Sequence, residues 1–587
     1  MNPKVVPGRP FKTLLRYNRP FWRDYAIGMG IALVFSLIGL ATPIVISWVV
    51  DRFQSGRMTR EFLFIYFGAL VAVSAVTGVA RYFQRMLMIG ASRKFEYDLR
   101  NDYFRHVQRL SQDFFHRVKT GDVMARATND LNYVRMFIGP GIMGTVDLVG
   151  VPYTVGVMLY FSPKLTLYAM APLPLVSILV YIFVMYVHRQ SKVVQEQFST
   201  VNSRVQEDLA GARVVKAYGI EERELRAFNE ESVQYMRSNM RLAFVQSLAF
   251  PLIGLVVGLT ILFILWEGGQ MVIAKQLSLG NFTGFVVSIT MLMWPLASFG
   301  WVLTLYQRGA VGMNRILEVM TETPSIRDTE RTRHDVPPIR GEIRYEGVSF
   351  SYCGENVLED VSFEARAGET VAIVGATGSG KSSIVALLTR EYDPTAGRVL
   401  VDGVDTREIP LERLRRAIGY VPQDTFLFSD SIRENLTLGR PEATQEQMDE
   451  ACEAAQFAET VSQLPERYDT LLGERGVNLS GGQKQRLAIA RAILRDPAIL
   501  ILDDALSSVD THTEESILQR LKEIAATRTT FIISHRVSTV RHADTILVLR
   551  DGRIVEKGTH DELLAVGGVY ADLHRRQLLE EQLEEAK

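Results

Sequence analysis

Cysteine is nearly missing from this 587-residue chain, which has only Cys353 and Cys452. Two thiols exclude a disulfide framework and fit a reducing, cytosolic setting for the half that carries them. Net charge is nearly missing too. With 65 basic against 66 acidic residues the chain carries −1, so bulk electrostatics points to neither nucleic acid nor a strongly charged partner. A cleavable leader is not expected either. The first long apolar run, Ala26 to Val50, has 25 residues; that is too long for a signal-peptide core and it lacks a small-residue cleavage site, so it reads as a retained membrane span. A mean hydropathy of +0.07 with 22% charged residues looks like a soluble protein. That average hides an apolar first half and a polar second half.

Five further runs meet the same criterion of about 20 residues with few charges: Phe62 to Ala80, Met136 to Phe161, Leu165 to Val187, Leu242 to Trp266 and Phe282 to Tyr306. Arg and Lys crowd the segments before the first span, between the second and third, and between the fourth and fifth. The positive-inside rule then puts both termini in the cytoplasm. Before the first span, Phe11, Leu14, Leu15, Phe21 and Trp22 interleave with basic residues, the pattern of a helix lying on the membrane interface. Residues 81 to 135 and 188 to 241 keep helical periodicity while carrying charge. They are expected to prolong the spans as arms, a 25-residue extension reaching nearly 40 Å at about 1.5 Å per residue.

Each arm has a candidate tip. In the first, Gly121 is expected to interrupt the helix, with Asp122 as N-cap of the next helical segment. In the second, Gly211 and Gly219 bound a short segment. Either tip reads as a contact with another domain or as a loop reversal. Asp147, near the middle of the third span, costs about 2.5 to 3.5 kcal/mol if left facing lipid, so it needs a partner or a water-filled cavity. A substrate- or cation-facing role and a structural hydrogen bond both remain open for it.

Residues 321 to 340 are polar, proline-containing and aperiodic, which marks a linker between a membrane domain (1 to 320) and a second domain (341 to 587). Beyond it, Glu342 to Phe350, Thr370 to Val374, Arg398 to Val401, Ile499 to Leu502, Thr530 to Ile533 and Thr545 to Leu549 read as strands separated by helical stretches. That alternation implies an α/β domain. Val371 to Val374 run straight into Gly375, Thr377, Gly378, Ser379, Gly380, Lys381, Ser382 and Ser383, followed by an apolar helical stretch. Strand, glycine-rich loop and helix turn backbone N–H groups onto a polyphosphate; Lys381 reaches its β/γ-phosphates and Ser382 can ligate Mg²⁺. Ile499 to Leu502 end in Asp503, placed to hold Mg²⁺, and Asp504 follows, placed to orient an attacking water. Ser480, Gly481, Gly482 and Gln483 open another helix and make a second anion site. Two phosphate devices about 100 residues apart in one small domain suggest a nucleotide shared across a dimer.

This combination resembles the ATP-binding cassette (ABC) transporters, specifically exporter halves with six spans and one nucleotide-binding domain. The resemblance covers nearly the whole chain, and Leu479 to Gln483 carries its most specific motif. It implies ATP and Mg²⁺ as cofactors. Tyr352 then resembles the aromatic that stacks on adenine, Gly375 to Ser382 Walker A, and Gln423 the Q-loop glutamine that senses Mg²⁺. Asp503 resembles the Walker B aspartate, Ser507 to Asp510 the D-loop, His535 the switch histidine, and Glu474 to Gly476 the segment before the signature. Gly121 and Gly211 mark family-like coupling tips. One position departs. The hydrolysis-competent pattern has Glu where this chain has Asp504, and a carboxylate retracted by about 1 to 1.5 Å can cost about 100-fold in rate. The pattern resembles the degenerate-site half of a heterodimeric multidrug exporter whose partner carries the glutamate; a homodimer is the alternative. Asp147, Trp294, Trp301 and Tyr306 mix charge with aromatic surface, consistent with small amphipathic cargo in a bilayer. An ATP-gated channel and a lipid flippase are the rival readings.

Overall fold

Apolar runs flanked by charged, helix-compatible sequence build helices far longer than a bilayer is thick. The computed structural model of the chain describes residues 4 to 585 except 353, 474, 475, 477, 510, 526 and 527. Cys353, Glu474, Arg475 and Asp510 therefore lie outside the described residues, as does the side chain of Trp294. The chain divides into two compact units, Met1–Val107 with Gly121–Thr321, and Gln108–Thr120 with Glu322–Lys587.

The first unit is helical. Its principal helices are Trp22–Gln54, Arg60–Val107, Leu173–Ala210, Glu221–Ile273 and Leu279–Thr321, together with a continuous helical run Thr120–Phe161. Among the described residues, Pro10–Gln54, Arg60–Val107, Thr120–Phe161 and Gly254–Ile273 are long and apolar enough to cross a membrane, and Leu279–Leu292 is a shorter apolar stretch. The span expected over Leu165 to Val187 is split. Helix Pro163–Met170 ends at Ala171, and Pro172 caps the start of Leu173–Ala210, because a proline ring cannot donate to the preceding turn.

The arms are present: Arg60–Val107 has 48 residues and Glu221–Ile273 has 53. Where they pack, charges are buried in pairs. Glu96 lies 3.4 Å from Arg135 with both side chains 9% exposed, and it also meets Arg93 and Arg100. The tip expected at Gly121 falls just ahead of it, where the chain leaves helix at residues 118 and 119. Gly121 sits inside helix Thr120–Ala125, and Asp122 caps nothing; its carboxylate pairs with Arg126 at 2.9 Å and Arg315 at 3.6 Å. The break runs on both sides of Gln112–Arg117, a short helix in the stretch Gln108–Thr120 that groups with the second unit. Ser111 and Ser325 hydroxyls meet there at 2.6 Å, and Arg117 pairs with Glu322. The second tip is as expected. Gly211 ends one helix, Ala212–Tyr218 comes next, and Gly219 closes it in the left-handed conformation. The helix expected before the first span also forms, as Pro10–Asn18. It buries Leu14 and Tyr17 while Phe11 and Leu15 stay exposed.

Among the described residues the second unit has ten strands: β1 (Ile343–Tyr352), β2 (Glu355–Ala365), β3 (Thr370–Gly375), β4 (Ala396–Val401), β5 (Val404–Asp405), β6 (Ile418–Val421), β7 (Ile499–Asp503), β8 (Thr529–Ile533), β9 (Thr545–Arg550) and β10 (Arg553–Gly558). One antiparallel sheet runs β2-β1-β4-β5. The other runs β10-β9-β3-β8-β7-β6, parallel except for β10. Strands β7 and β8 are buried at every residue, as expected where helices cover both faces of a parallel sheet. The chain thus forms the α-helical membrane domain plus α/β domain that its sequence implies.

Candidate nucleotide-binding site

Ligands of open parallel sheets bind beyond the carboxyl ends of the strands. In this sheet β3 and β7, separated only by β8, end in the glycine loop and in Asp503. Gly380, at φ +99°, precedes helix Lys381–Leu388. Only glycine fits, since a Cβ there would lie 2.9 Å from the Val357 carbonyl oxygen. Inside the loop Lys381 Nζ donates to the carbonyls of Gly375 (2.9 Å) and Ala376 (2.8 Å). Burial pulls its pKa below the usual lysine range, against the opposing attraction of Asp503 and Asp504.

Ser382 Oγ donates to Asp503 Oδ1 at 3.3 Å. Burial pushes the Asp503 pKa up, with Ser382, Lys381 and His535 opposing and Asp504 adding to the rise. The structure therefore brings Lys381, Ser382, Asp503, Asp504 and His535 into one electrostatic cluster. Two observations test the fit of a magnesium–nucleotide. The Ser379 hydroxyl is buried without a hydrogen-bond partner, a donor suited to a phosphate oxygen. Among the described residues no three His, Cys, Asp or Glu side chains converge to hold a metal. Ser382 and Asp503 thus suit Mg²⁺ held jointly with phosphate oxygens, its usual mode of binding.

Asp504 sits at φ +48°, a left-handed conformation that aspartate tolerates better than most residues. Its N–H donates to the Ile533 carbonyl at 2.9 Å, and its own carbonyl accepts from Ser507 N–H (3.3 Å) and Ser507 Oγ (3.0 Å). The root of this side chain is pinned on both sides. Tyr352 ends β1, its ring edge-on to Phe350 (4.6 Å) and Tyr392 (5.1 Å). Gln423 lies exposed in the loop after β6.

Helix Gly481–Leu494 begins with a capping box: Ser480 Oγ accepts from Gln483 N–H at 3.3 Å, and Gln483 Oε1 accepts from Ser480 N–H at 2.9 Å. The Gln483 side chain is thereby directed back onto its own helix. The Ser480 hydroxyl proton and the N–H groups of Gly481 and Gly482 are left to face an anion. Gly482 allows the helix to abut the segment after Asp504, since a Cβ would lie 2.8 Å from the Ser508 carbonyl.

Sequence reasoning missed the residues that act through tertiary proximity. Gln485 bridges Ser507 Oγ (3.0 Å) and Ser508 N–H (2.9 Å). Burial drives the Tyr420 hydroxyl pKa up, and the Asp503 carboxylate within electrostatic range adds to the rise. Buried Glu514 accepts from Arg536 at 2.9 Å and from Thr539. None of these obeys a motif spacing.

In the membrane unit Asp147 is exposed on helix Ile142–Phe161, within electrostatic range of Arg81 and Arg85. A Cβ on Gly144, one turn earlier, would lie 3.7 Å from the exposed Trp301 ring, which puts Trp301 beside Asp147's helix. Tyr306 instead meets Phe137 edge-on at 5.3 Å, a helix-packing contact.

Residues 25–296 match the ABC transporter transmembrane region and residues 358–507 the ABC transporter family. Over 97% of its length the chain is 38% identical to a probable multidrug resistance ABC transporter ATP-binding/permease protein, YheI, of Bacillus subtilis (strain 168), 97% of which is covered. It is 34% identical over 98% of its length to the ATP-dependent lipid A-core flippase of Syntrophus aciditrophicus (strain SB), covering 96% of that protein. The solved structure of a bacterial Atm1-family ABC exporter with ATP bound is similar with a TM-score of 0.77 at 29% identity, covering 94% of this chain and 98% of that one. A phosphate loop at the end of a central parallel strand, an acidic strand end beside it and a multi-pass helical half, shared with relatives along nearly the whole chain, make this protein a member of the ABC transporter family, an exporter-type half that couples ATP hydrolysis to transport across a membrane.

Proposed function

We propose that this chain is one half of a heterodimeric exporter of amphipathic or hydrophobic molecules in the cytoplasmic membrane, and the half whose own ATP site is slow. The membrane domain is residues 1 to 320, the linker 321 to 340 and the cassette 341 to 587, with both termini in the cytoplasm. Tyr352 stacks on adenine. The loop N–H groups from Thr377 to Ser383 and the Lys381 ammonium hold the phosphates, while Ser382, Asp503 and Gln423 hold Mg²⁺, which when bound screens the phosphate charge. Asp504 orients water and His535 contacts the γ-phosphate. Asp147 and Trp301 contribute to the substrate path, and the likeness to a multidrug resistance transporter supports drug-like cargo.

The observation that carries the slow-site reading is the pinned Asp504. Three hydrogen bonds fix its backbone, so the missing methylene is not recovered by a backbone shift, and a 1 Å deficit can cost about 100-fold. The test is Asp504→Glu in the purified chain, followed by ATPase. A rise of about tenfold or more is expected, and an unchanged rate would overturn the reading. A homodimeric lipid flippase is the second reading, favoured by the full-length likeness to a lipid A-core flippase. Proteoliposomes containing this chain alone separate the two, since only a homodimeric flippase moves a labelled lipid without a second half.

A further inference from the structure

The turn that carries His535 is held from two sides. On one side the Arg536 guanidinium reaches Glu514 at 2.9 Å and the Ser507 carbonyl at 3.2 Å, just past Asp504. On the other side stands the C-terminal helix Val569–Glu585. Glu556 fixes the start of that helix by accepting from Val569 N–H (2.5 Å) and Tyr570 N–H (3.1 Å). Tyr570 is fully buried, and its hydroxyl meets His560 Nδ1 at 2.8 Å. Gln577 lies seven residues on, so two turns later it shares the face of Tyr570. There its Oε1 accepts from Val537 N–H at 2.7 Å, and its Nε2 donates to the His535 carbonyl.

Only one orientation of the carboxamide makes both bonds, because the flipped amide would oppose N–H to N–H and oxygen to oxygen. A single side chain thus clamps the backbone on both sides of Arg536. We propose that Gln577 is a positioning residue for ATP hydrolysis, which through this clamp sets the placement of His535 at the phosphate loop. The C-terminal helix is thereby part of the hydrolytic apparatus without touching nucleotide. Positioning errors near 1 Å are costly in rate and nearly silent in ground-state binding.

The test compares Gln577→Met, which keeps the packing volume and removes both hydrogen bonds, with Gln577→Glu, which keeps the acceptor and sets a carboxylate against the His535 carbonyl. Both are made in the full chain, with His535 intact and with His535→Ala, and in wild-type and Asp504→Glu backgrounds. The last background rests on the slow-site reading for its larger signal. If Asp504→Glu does not raise the rate, that reading fails, and the Gln577 comparison is made on the wild-type rate. Expected are a kcat lowered about tenfold, KM and fluorescent-nucleotide affinity changed less than about twofold, and no further loss when either variant is added to His535→Ala. Wild-type kcat in Gln577→Met would overturn the proposal, as would a loss that adds in full to that of His535→Ala.

Discussion

Lys381 spends its hydrogen bonds on two loop carbonyls, 2.9 and 2.8 Å away, so it is already aimed along the loop when a polyphosphate arrives. On the proposed reading, Lys381→Ala removes the cation at the β/γ-phosphates. A charged hydrogen bond contributes about 1.5 to 3 kcal/mol, so a fluorescent-nucleotide titration should show affinity about 10- to 100-fold weaker, with transport lost; unchanged affinity sinks the assignment. Cys452 makes the opposite case, a thiol with no task. Burial raises its pKa to about 11, which leaves about 0.1% thiolate at pH 8. In a Cys353→Ser background Cys452 should resist maleimide at pH 8 until the chain is denatured. Because the folded pKa is raised, this thiol's contribution to stability is complete below the unfolded value near 9 and fades as pH climbs through 11. At this scale the sequence was legible wherever chemistry depends on spacing. Gly375 to Ser382 is such a place. Gln485, Tyr420, Glu514 and Gln577 are not, because their partners lie in other elements.

Elements were legible where one physical signal dominated. Val371–Val374 and Ile499–Leu502 are continuous apolar runs, and both became buried strands. Four strands escaped notice: β2, whose exposed residues are mostly polar and which carries Asp360 at positive φ; β5, with two residues; β6, with four residues; and β10, a polar edge strand with no buried residue. Gly121 marked the break in its arm to within two residues. A helix restarts at Thr120, and just beyond it Asp122 pairs with Arg126 and Arg315 rather than capping the helix. The arms themselves give a prediction. Glu96 and Arg135 are each 9% exposed and 3.4 Å apart, and removing one partner of such a pair leaves a buried charge, at a cost of about 3 kcal/mol or more. Glu96→Ala should lower the thermal unfolding midpoint of the detergent-solubilised protein. The double variant Glu96→Leu with Arg135→Met should regain at least half of that loss, and a double variant no more stable than the single would show that the pair is not the cause.

At the scale of the molecule the question is which site turns over. This chain carries a complete Ser480-Gly481-Gly482 helix start, whose outward groups suit an anion, and a phosphate loop beside a shortened acid at a pinned position. In a heterodimer the two differ in consequence. This chain's own phosphate loop holds ATP and cleaves it slowly, while its Ser480 helix start completes the site built on the partner's phosphate loop and glutamate. Ser480→Ala then strips a hydrogen bond from the fast site, where one preorganised donor contributes about 100-fold or more to the rate. Asp504→Ala touches only the slow site, and total ATPase should fall by less than about threefold given how little that carboxylate contributes from its retracted position. Co-purifying the chain with a second half that carries Glu after its own Walker B aspartate, and measuring ATPase for both variants, reads the asymmetry directly. If Asp504→Ala abolishes turnover in the pair, or if this chain alone hydrolyses ATP briskly and loses the activity on that substitution, the aspartate is a working catalytic group and the heterodimer reading fails.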